Sequence, residues 1–239
     1  MKVLIPMAGE GSRFFNAGYT FPKPLIDVMD KPMIQKVVEN LDFDCEYIFL
    51  VRKKHIEKYE GLINTLERIT NGNFKLVEVD GLTDGAACTA LLAEKYIDNE
   101  EDLLIANSDQ WIEYQPENFK SLKSLTSVDS IVFTFNAVHP KWSYVKTNSR
   151  GYVIEVAEKR PISDIATCGI YWYRKGSDFV KYAKTMIEKN IRVKNEFYIA
   201  PVYNELIKDG KTLVPFYVSQ MHGLGTPEDL DKFINNWRK

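Results

Sequence analysis

The chain has 239 residues, with 31 Lys and Arg against 33 Asp and Glu. That length accommodates one large α/β domain with a sizeable core, and the near-balance of charge excludes a basic field that would draw the chain to nucleic acid or anionic lipid. Three cysteines, Cys45, Cys88 and Cys168, are far apart, odd in number and without a CxxC pair, which argues against a disulfide scaffold or a zinc site. The N-terminus lacks a signal-peptide pattern, and no apolar run approaches the ~20 residues of a membrane helix, so the expected location is the cytoplasm, with no membrane partner.

The apolar run 2–6 reads as a buried strand that opens into Ala8-Gly9-Glu10-Gly11-Ser12-Arg13-Phe14. Pro32 suits the first turn of a helix ending at Leu41. Residues 47–51 form a continuous apolar strand, and Ile56, Tyr59, Ile63, Leu66 and Ile69 recur at helical spacing. A turn at Asn71-Gly72-Asn73 leads to a strand over 74–79. A second glycine-containing loop, 80–85, opens an Ala-rich helix ending near Lys95. Strands are expected over 103–106, which ends at Asn107-Ser108-Asp109, and over 130–135. The order β-α-β-α-β-α-β-α-β argues for a doubly wound, mostly parallel α/β sheet.

From His139 the pattern changes. Residues 142–147, 153–158 and 167–173 read as strands joined by turns, an antiparallel insertion beside the sheet. Helices over 177–189 and 198–208 and a strand over 213–218 follow. Thr226-Pro227-Glu228-Asp229 starts the last helix as a capping box, with Asp229 reaching back to the N-cap. No linker interrupts the chain. It reads as a single domain, residues 1–239, with a nucleotide-binding part over 1–137 and an acceptor-binding and C-terminal part over 138–239.

Two glycines in the opening loop allow close backbone approach to a ligand, and with Arg13 and Lys23 they form an anion cradle. The prolines of Pro22-Lys23-Pro24 fix the backbone around that lysine. A dinucleotide fingerprint would require glycine at Phe14 and an acid closing the second strand, which ends Leu50-Val51-Arg52; a Walker loop would require Gly-Lys-Ser/Thr. Both patterns are absent. His55, His139 and Cys88 have no partner suggesting catalysis, and Asp42-Phe43-Asp44 precedes a strand instead of ending one, so it reads as surface.

The stretch from Val3 to Ile34 resembles the signature of nucleotidyltransferases that make sugar nucleotides, a G-x-G-x-R loop followed by P-K-P-L. The resemblance implies a Rossmann-like fold and transfer of a nucleoside monophosphate from a nucleoside triphosphate to a phosphorylated small molecule, foremost a sugar 1-phosphate, with release of pyrophosphate. It implies that Ala8, Gly9, Gly11, Ser12 and Arg13 hold the triphosphate, with Arg13 on the departing pyrophosphate and Lys23 near the α-phosphorus. Asp80 and Gly85 match a loop that touches the base, and Asp109 matches the acid that binds Mg²⁺. Glu158-Lys159 matches an E-K-P element in which Glu meets the acceptor sugar and Lys its phosphate; here Arg160 intervenes before Pro161. Gly169 and Tyr171 match the following strand, and Asn195, Glu196 and Tyr198 a region that reaches the acceptor. The D-x-G-T segment of many members is departed from, since Gly223 stands where they carry a second metal-binding Asp; the adjacent His222 reads as a structural or substrate contact. The family resemblance also leaves open a cytidylyltransferase acting on phosphocholine or a phosphorylated amino acid, and a nucleotide-binding module without catalysis. The partners expected are the triphosphate, the phosphorylated acceptor and, for assembly, a homodimer.

Overall fold

A computed structural model describes residues 1–237. The parallel core comprises β1 (Lys2–Pro6), β2 (Glu46–Arg52), β3 (Phe74–Val79) and β4 (Leu103–Ala106), with β1 paired to both β2 and β4 and β2 to β3. The runs of β1, β2 and β4 are almost wholly apolar because both faces are covered, whereas β3, at the edge of the sheet, carries the exposed Lys75 and Glu78. Leu4, Ile48, Leu50, Leu103 and Ile105 enter one hydrophobic layer, whereas Val3, Ile5, Phe49, Val51 and Leu104 enter the opposite one. A third cluster joins Phe14 to Ile26, Met33, Leu224, Leu230 and Phe233.

The doubly wound sheet expected from the sequence is present, and its order adds a feature that the sequence pattern does not contain. The strand expected over 167–173 is β9 (Ile165–Tyr173), which lies within the main sheet between β4 and β6 (Ser130–Asn136), antiparallel to both. Only β7 (Ser143–Thr147) and β8 (Val153–Glu158) branch from the path, and β10 (Leu213–Tyr217) closes the edge parallel to β6. Two strands were not foreseen. β5 (Gln110–Glu113), immediately after Asp109, pairs antiparallel with β11 (Gln220–Gly223) in a separate small sheet. Strands from both expected parts of the chain thus share one sheet.

The helices are α1 (Ser12–Asn16), α2 (Met33–Leu41), α3 (Lys53–Lys58), α4 (Gly61–Thr70), α5 (Ala86–Leu91), α6 (Glu94–Ile97), α7 (Pro116–Ser124), α8 (Gly176–Glu188), α9 (Val202–Lys208) and α10 (Pro227–Trp237). Four local expectations need correction. The single Ala-rich helix expected to end near Lys95 is two, α5 and α6, separated at Leu92 and Ala93. The periodicity over 56–69 spans two helices, broken where Tyr59 leaves helical geometry at φ −128° and ψ 82°. The helix expected from Tyr198 begins at Val202, behind Pro201, whose ring disfavours helix in the preceding residue. The capping box on α10 is half formed: the Asp229 N–H donates to Thr226 Oγ1 at 3.1 Å, but the Asp229 carboxylate faces Lys141 Nζ at 3.2 and 3.3 Å. Asp42 and Asp44 are exposed, as expected for a surface segment. Among the described residues no helix is long and apolar enough to cross a membrane.

Candidate active site

The carboxyl ends of β1 and β4 open into one cavity of about 700 Å³, the position at which doubly wound sheets bind ligands. The Met7 N–H donates to the Leu50 carbonyl at 2.9 Å, extending strand pairing one residue beyond β1 before the chain turns out as the glycine loop. Gly11 precedes α1, and the Phe14 and Phe15 N–H groups donate to its carbonyl at 3.0 and 3.1 Å. Phe14, where a dinucleotide fingerprint would have glycine, is buried and anchors this short helix in the third cluster. Lys23 begins a single 3-10 turn over Lys23–Leu25 and forms an ion pair with Asp109, just past the end of β4; both side chains are about three-quarters buried.

Asp109 is enclosed from the other side by the stretch after β11. Its carbonyl accepts from the Leu224 N–H at 2.7 Å, and a Cβ added to Gly225 would lie 2.5 Å from Asp109 Oδ2. Any larger residue at 225 would displace the carboxylate beside it. Gly223 lines the same wall, and a Cβ there would stand 3.5 Å from Asp229 Oδ2 and 3.6 Å from the Trp142 ring. Asp109 offers hard oxygen donors suited to a divalent cation. Among the described residues no group of three or more His, Cys, Asp or Glu could hold a metal alone. A single carboxylate suits a hard cation, such as Mg²⁺, that takes its remaining ligands from phosphates and water.

The opposite wall comes from the second part of the chain. Glu158, at the end of β8, accepts a hydrogen bond from Ser143 Oγ on β7. Burial pushes its carboxyl above the ordinary value of 4.5, against the opposing effects of the Ser143 bond and Lys159. Lys159 has left-handed backbone at φ 53°. Its ammonium donates to the Tyr198 hydroxyl and lies 4.3 Å from the centre of that ring. Lys141, held by Asp229, lies 4.5 Å from the centre of the Trp142 ring. Tyr171 is buried, its hydroxyl 3.3 Å from Thr167 Oγ1, and burial raises its pKa.

Of the residues singled out from the sequence, Gly9, Gly11, Ser12, Arg13, Lys23, Asp109, Glu158, Lys159, Gly169 and Tyr171 line this cavity together. Ala8, Asp80, Gly85, Asn195 and Glu196 do not. Ala8 is buried beneath the loop, and Asp80 is exposed. Gly85 has φ +130°, and a Cβ there would meet the Phe197 carbonyl oxygen at 2.5 Å. It serves a backbone crossing in which the Ala87 N–H donates to the Phe197 carbonyl and the Phe197 N–H to the Asp84 carbonyl, at 2.9 and 2.8 Å. That crossing fastens the second glycine loop to the segment carrying Tyr198.

Asn195 and Glu196 lie on an exposed turn closed by reciprocal Val193–Glu196 backbone bonds of 3.0 Å, and the cavity is lined instead by Lys194 and Tyr198. Lys141, Trp142, Ser143 and Gln110 also line it and were not singled out. A Lys-Trp-Ser run beside a proline carries no periodic signal; only strand pairing turns it inward. His222 lies outside the cavity, packed on Trp111 and Phe233 at 5.6 and 5.4 Å between ring centres, which makes it structural.

Fold and cavity define an α/β protein with its main cavity at the carboxyl ends of parallel strands, between a glycine loop carrying Arg13 and an antiparallel wall. The chain belongs to the nucleotidyl transferase family, whose pattern matches residues 2–237. It is 27% identical over 233 residues to the bifunctional protein GlmU of Methanocaldococcus jannaschii, covering 96% of this chain and 52% of that protein. It thus spans about half the length of that relative. Among solved structures it is similar to a nucleoside-diphosphate-sugar pyrophosphorylase from Vibrio cholerae RC9, at 26% identity and a TM-score of 0.81 over 98% of this chain and 99% of the other. The fold is shared with a UDP-glucose pyrophosphorylase complexed with UDP-glucose, at 20% identity and a TM-score of 0.79, covering 99% and 98% of the two chains.

Proposed function

We propose that the chain transfers a nucleoside monophosphate from a nucleoside triphosphate to a sugar 1-phosphate, with release of pyrophosphate. The observation that carries this reading is one cavity lined at once by the glycine loop with Arg13, the Lys23–Asp109 pair, and Glu158 with Lys159. A phosphate monoester is largely dianionic near neutral pH, its second pKa being about 6. Its oxygen attacks the α-phosphorus, a P–O bond forms as the bond to the pyrophosphate oxygen breaks, and no general base is needed. The protein's contribution is alignment and charge neutralisation. Arg13 and Lys23 receive the triphosphate, Lys159 the acceptor phosphate, and Glu158 with Ser143 a hydroxyl of the acceptor. Mg²⁺ is the cation we assign to Asp109, and when bound it supplies positive charge at the phosphates.

The acceptor wall also bears on phosphocholine. Recognition of a quaternary ammonium uses open aromatic faces. Two of the cavity-lining rings, Trp142 and Tyr198, already carry the ammonium groups of Lys141 and Lys159. This favours a hydroxyl-bearing acceptor. The deciding experiment is a panel of four nucleoside triphosphates with Mg²⁺ against sugar 1-phosphates, phosphocholine and a phosphorylated amino acid, scored by pyrophosphate release. Turnover with a sugar 1-phosphate is expected. Turnover confined to phosphocholine, or none with any pair, refutes the reading.

A further inference from the structure

Arg52 closes β2, is buried, and has no part in the chemistry above. Its Nη1 lies 3.5 Å from Oε1 of Glu10, the residue between the two glycines of the loop, and Glu10 is half exposed. A carboxylate in a loop that faces a polyanion is unfavourable unless it is neutralised. A buried guanidinium likewise needs an anionic partner. Each group supplies what the other lacks.

A second contact, from just beyond the same strand, reaches the other end of the segment. Tyr59, at the break between α3 and α4, donates its hydroxyl to the Thr20 carbonyl at 3.0 Å, and its ring lies 6.1 Å from that of Phe21. Thr20 and Phe21 immediately precede Pro22 and Lys23. The carboxyl end of β2 and the residue closing α3 thus hold the loop just before Arg13 and again just before Lys23, through residues that do not line the cavity. The break in the helical run at Tyr59 gives this tyrosine its position.

Resting on the function proposed above, we propose that Arg52 and Tyr59 are positioning residues that brace the triphosphate loop, Arg52 through Glu10 and Tyr59 through the Thr20 carbonyl. They set the affinity for nucleoside triphosphate without touching it. The sign of one substitution separates this from a simple field effect. If Arg52 acted only through its charge, Glu10→Gln would remove a repulsive carboxylate and tighten the triphosphate. If the pair is a tether, Glu10→Gln loosens the loop and weakens it.

The test is titration of wild type, Glu10→Gln, Arg52→Met, the double variant and Tyr59→Phe with each nucleoside triphosphate and Mg²⁺, by calorimetry without acceptor. Acceptor KM at saturating triphosphate and melting temperature are measured in parallel. Each single variant should weaken triphosphate binding about tenfold, less than the ~10²-fold attached to a 1 Å misplacement. The double variant should be no worse than Arg52→Met, as coupled residues require. Arg52→Lys should recover part of the loss. Acceptor KM should stay at the wild-type value in every variant, as should the melting temperature of Tyr59→Phe; Glu10→Gln should melt lower, because it leaves the buried Arg52 without its carboxylate, and is titrated well below its melting midpoint. Unchanged or tighter binding by Glu10→Gln, or additive losses in the double variant, overturns the brace alone. A wild-type protein that binds no triphosphate overturns the proposed function and the brace with it.

Discussion

Gly225→Ala isolates one contact at the candidate metal and triphosphate end of the cavity. The new Cβ would stand 2.5 Å from Asp109 Oδ2, where ordinary contact begins near 3.4 Å. The carboxylate must therefore retreat by roughly 1 Å to restore van der Waals separation. Gly225 is absent from the positive-φ glycines, so alanine fits its backbone and only the clash is introduced. Asp109 cannot retreat freely, because its carboxylate is paired with Lys23 and its carbonyl is held by Leu224. A 1 Å misplacement of a reacting group costs on the order of 10²-fold in rate. The fold should lose only about 1 kcal/mol, at the low end of overpacking, since the carboxylate borders open cavity. Pyrophosphate release, a thermal melt and a triphosphate titration on the same sample distinguish these effects. Wild-type turnover by Gly225→Ala would refute the view that Asp109 must occupy its observed position.

Lys23→Met and Asp109→Asn should each lower pyrophosphate release by about 10²-fold or more, the scale for removing an electrostatic contact to developing charge. Each substitution also leaves a mostly buried partner unpaired, so the melting temperature should fall as well, and turnover is read well below the melting midpoint; a large loss of stability with retained turnover would reverse the assignment. Glu158 should make stability depend on pH. Its folded pKa is raised, so above 4.5 the folded state binds more protons than the unfolded one, and stability falls as pH rises through the folded value. Glu158→Gln should flatten that part of a melting-temperature profile while raising acceptor KM, and an unaltered profile counts against the buried carboxyl. Phe14→Ala should cost about 3–5 kcal/mol by emptying a buried aromatic site. Chemical denaturation measures it, and a loss below about 1 kcal/mol would mean that the third cluster does not anchor α1.

The apolar runs that became β1, β2 and β4 were legible because strands covered on both faces need no polar residue in alternation. The Gly9-Glu10-Gly11-Ser12-Arg13 loop and the proline-flanked Lys23 were legible for a different reason. Their chemistry is local, since glycine permits close approach and proline limits the backbone within a few residues. Asp109 and Glu158-Lys159 came from resemblance and from their places at strand ends. Local periodicity reports one element's own faces, which explains where it went astray. Over residues 56–69 it continued through the break at Tyr59, and it did not register that Pro201 delays α9.

Tertiary structure alone decided which residues meet. Lys23 and Asp109 are 86 positions apart, and their pairing depends on β1 lying beside β4. The position of β9 between β4 and β6 turns Gly169 and Tyr171 toward the cavity, and no spacing within 165–173 specifies those neighbours. The turn at Val193–Glu196 exchanges Asn195 and Glu196 for Lys194, while the wall at Gly223 is completed by Asp229 and Trp142 from α10 and the approach to β7. The opening loop carried its anion-binding chemistry in its own residues. Its opposite wall and its brace at Arg52 arise from contacts between distant segments, whose geometry is set by the sheet order.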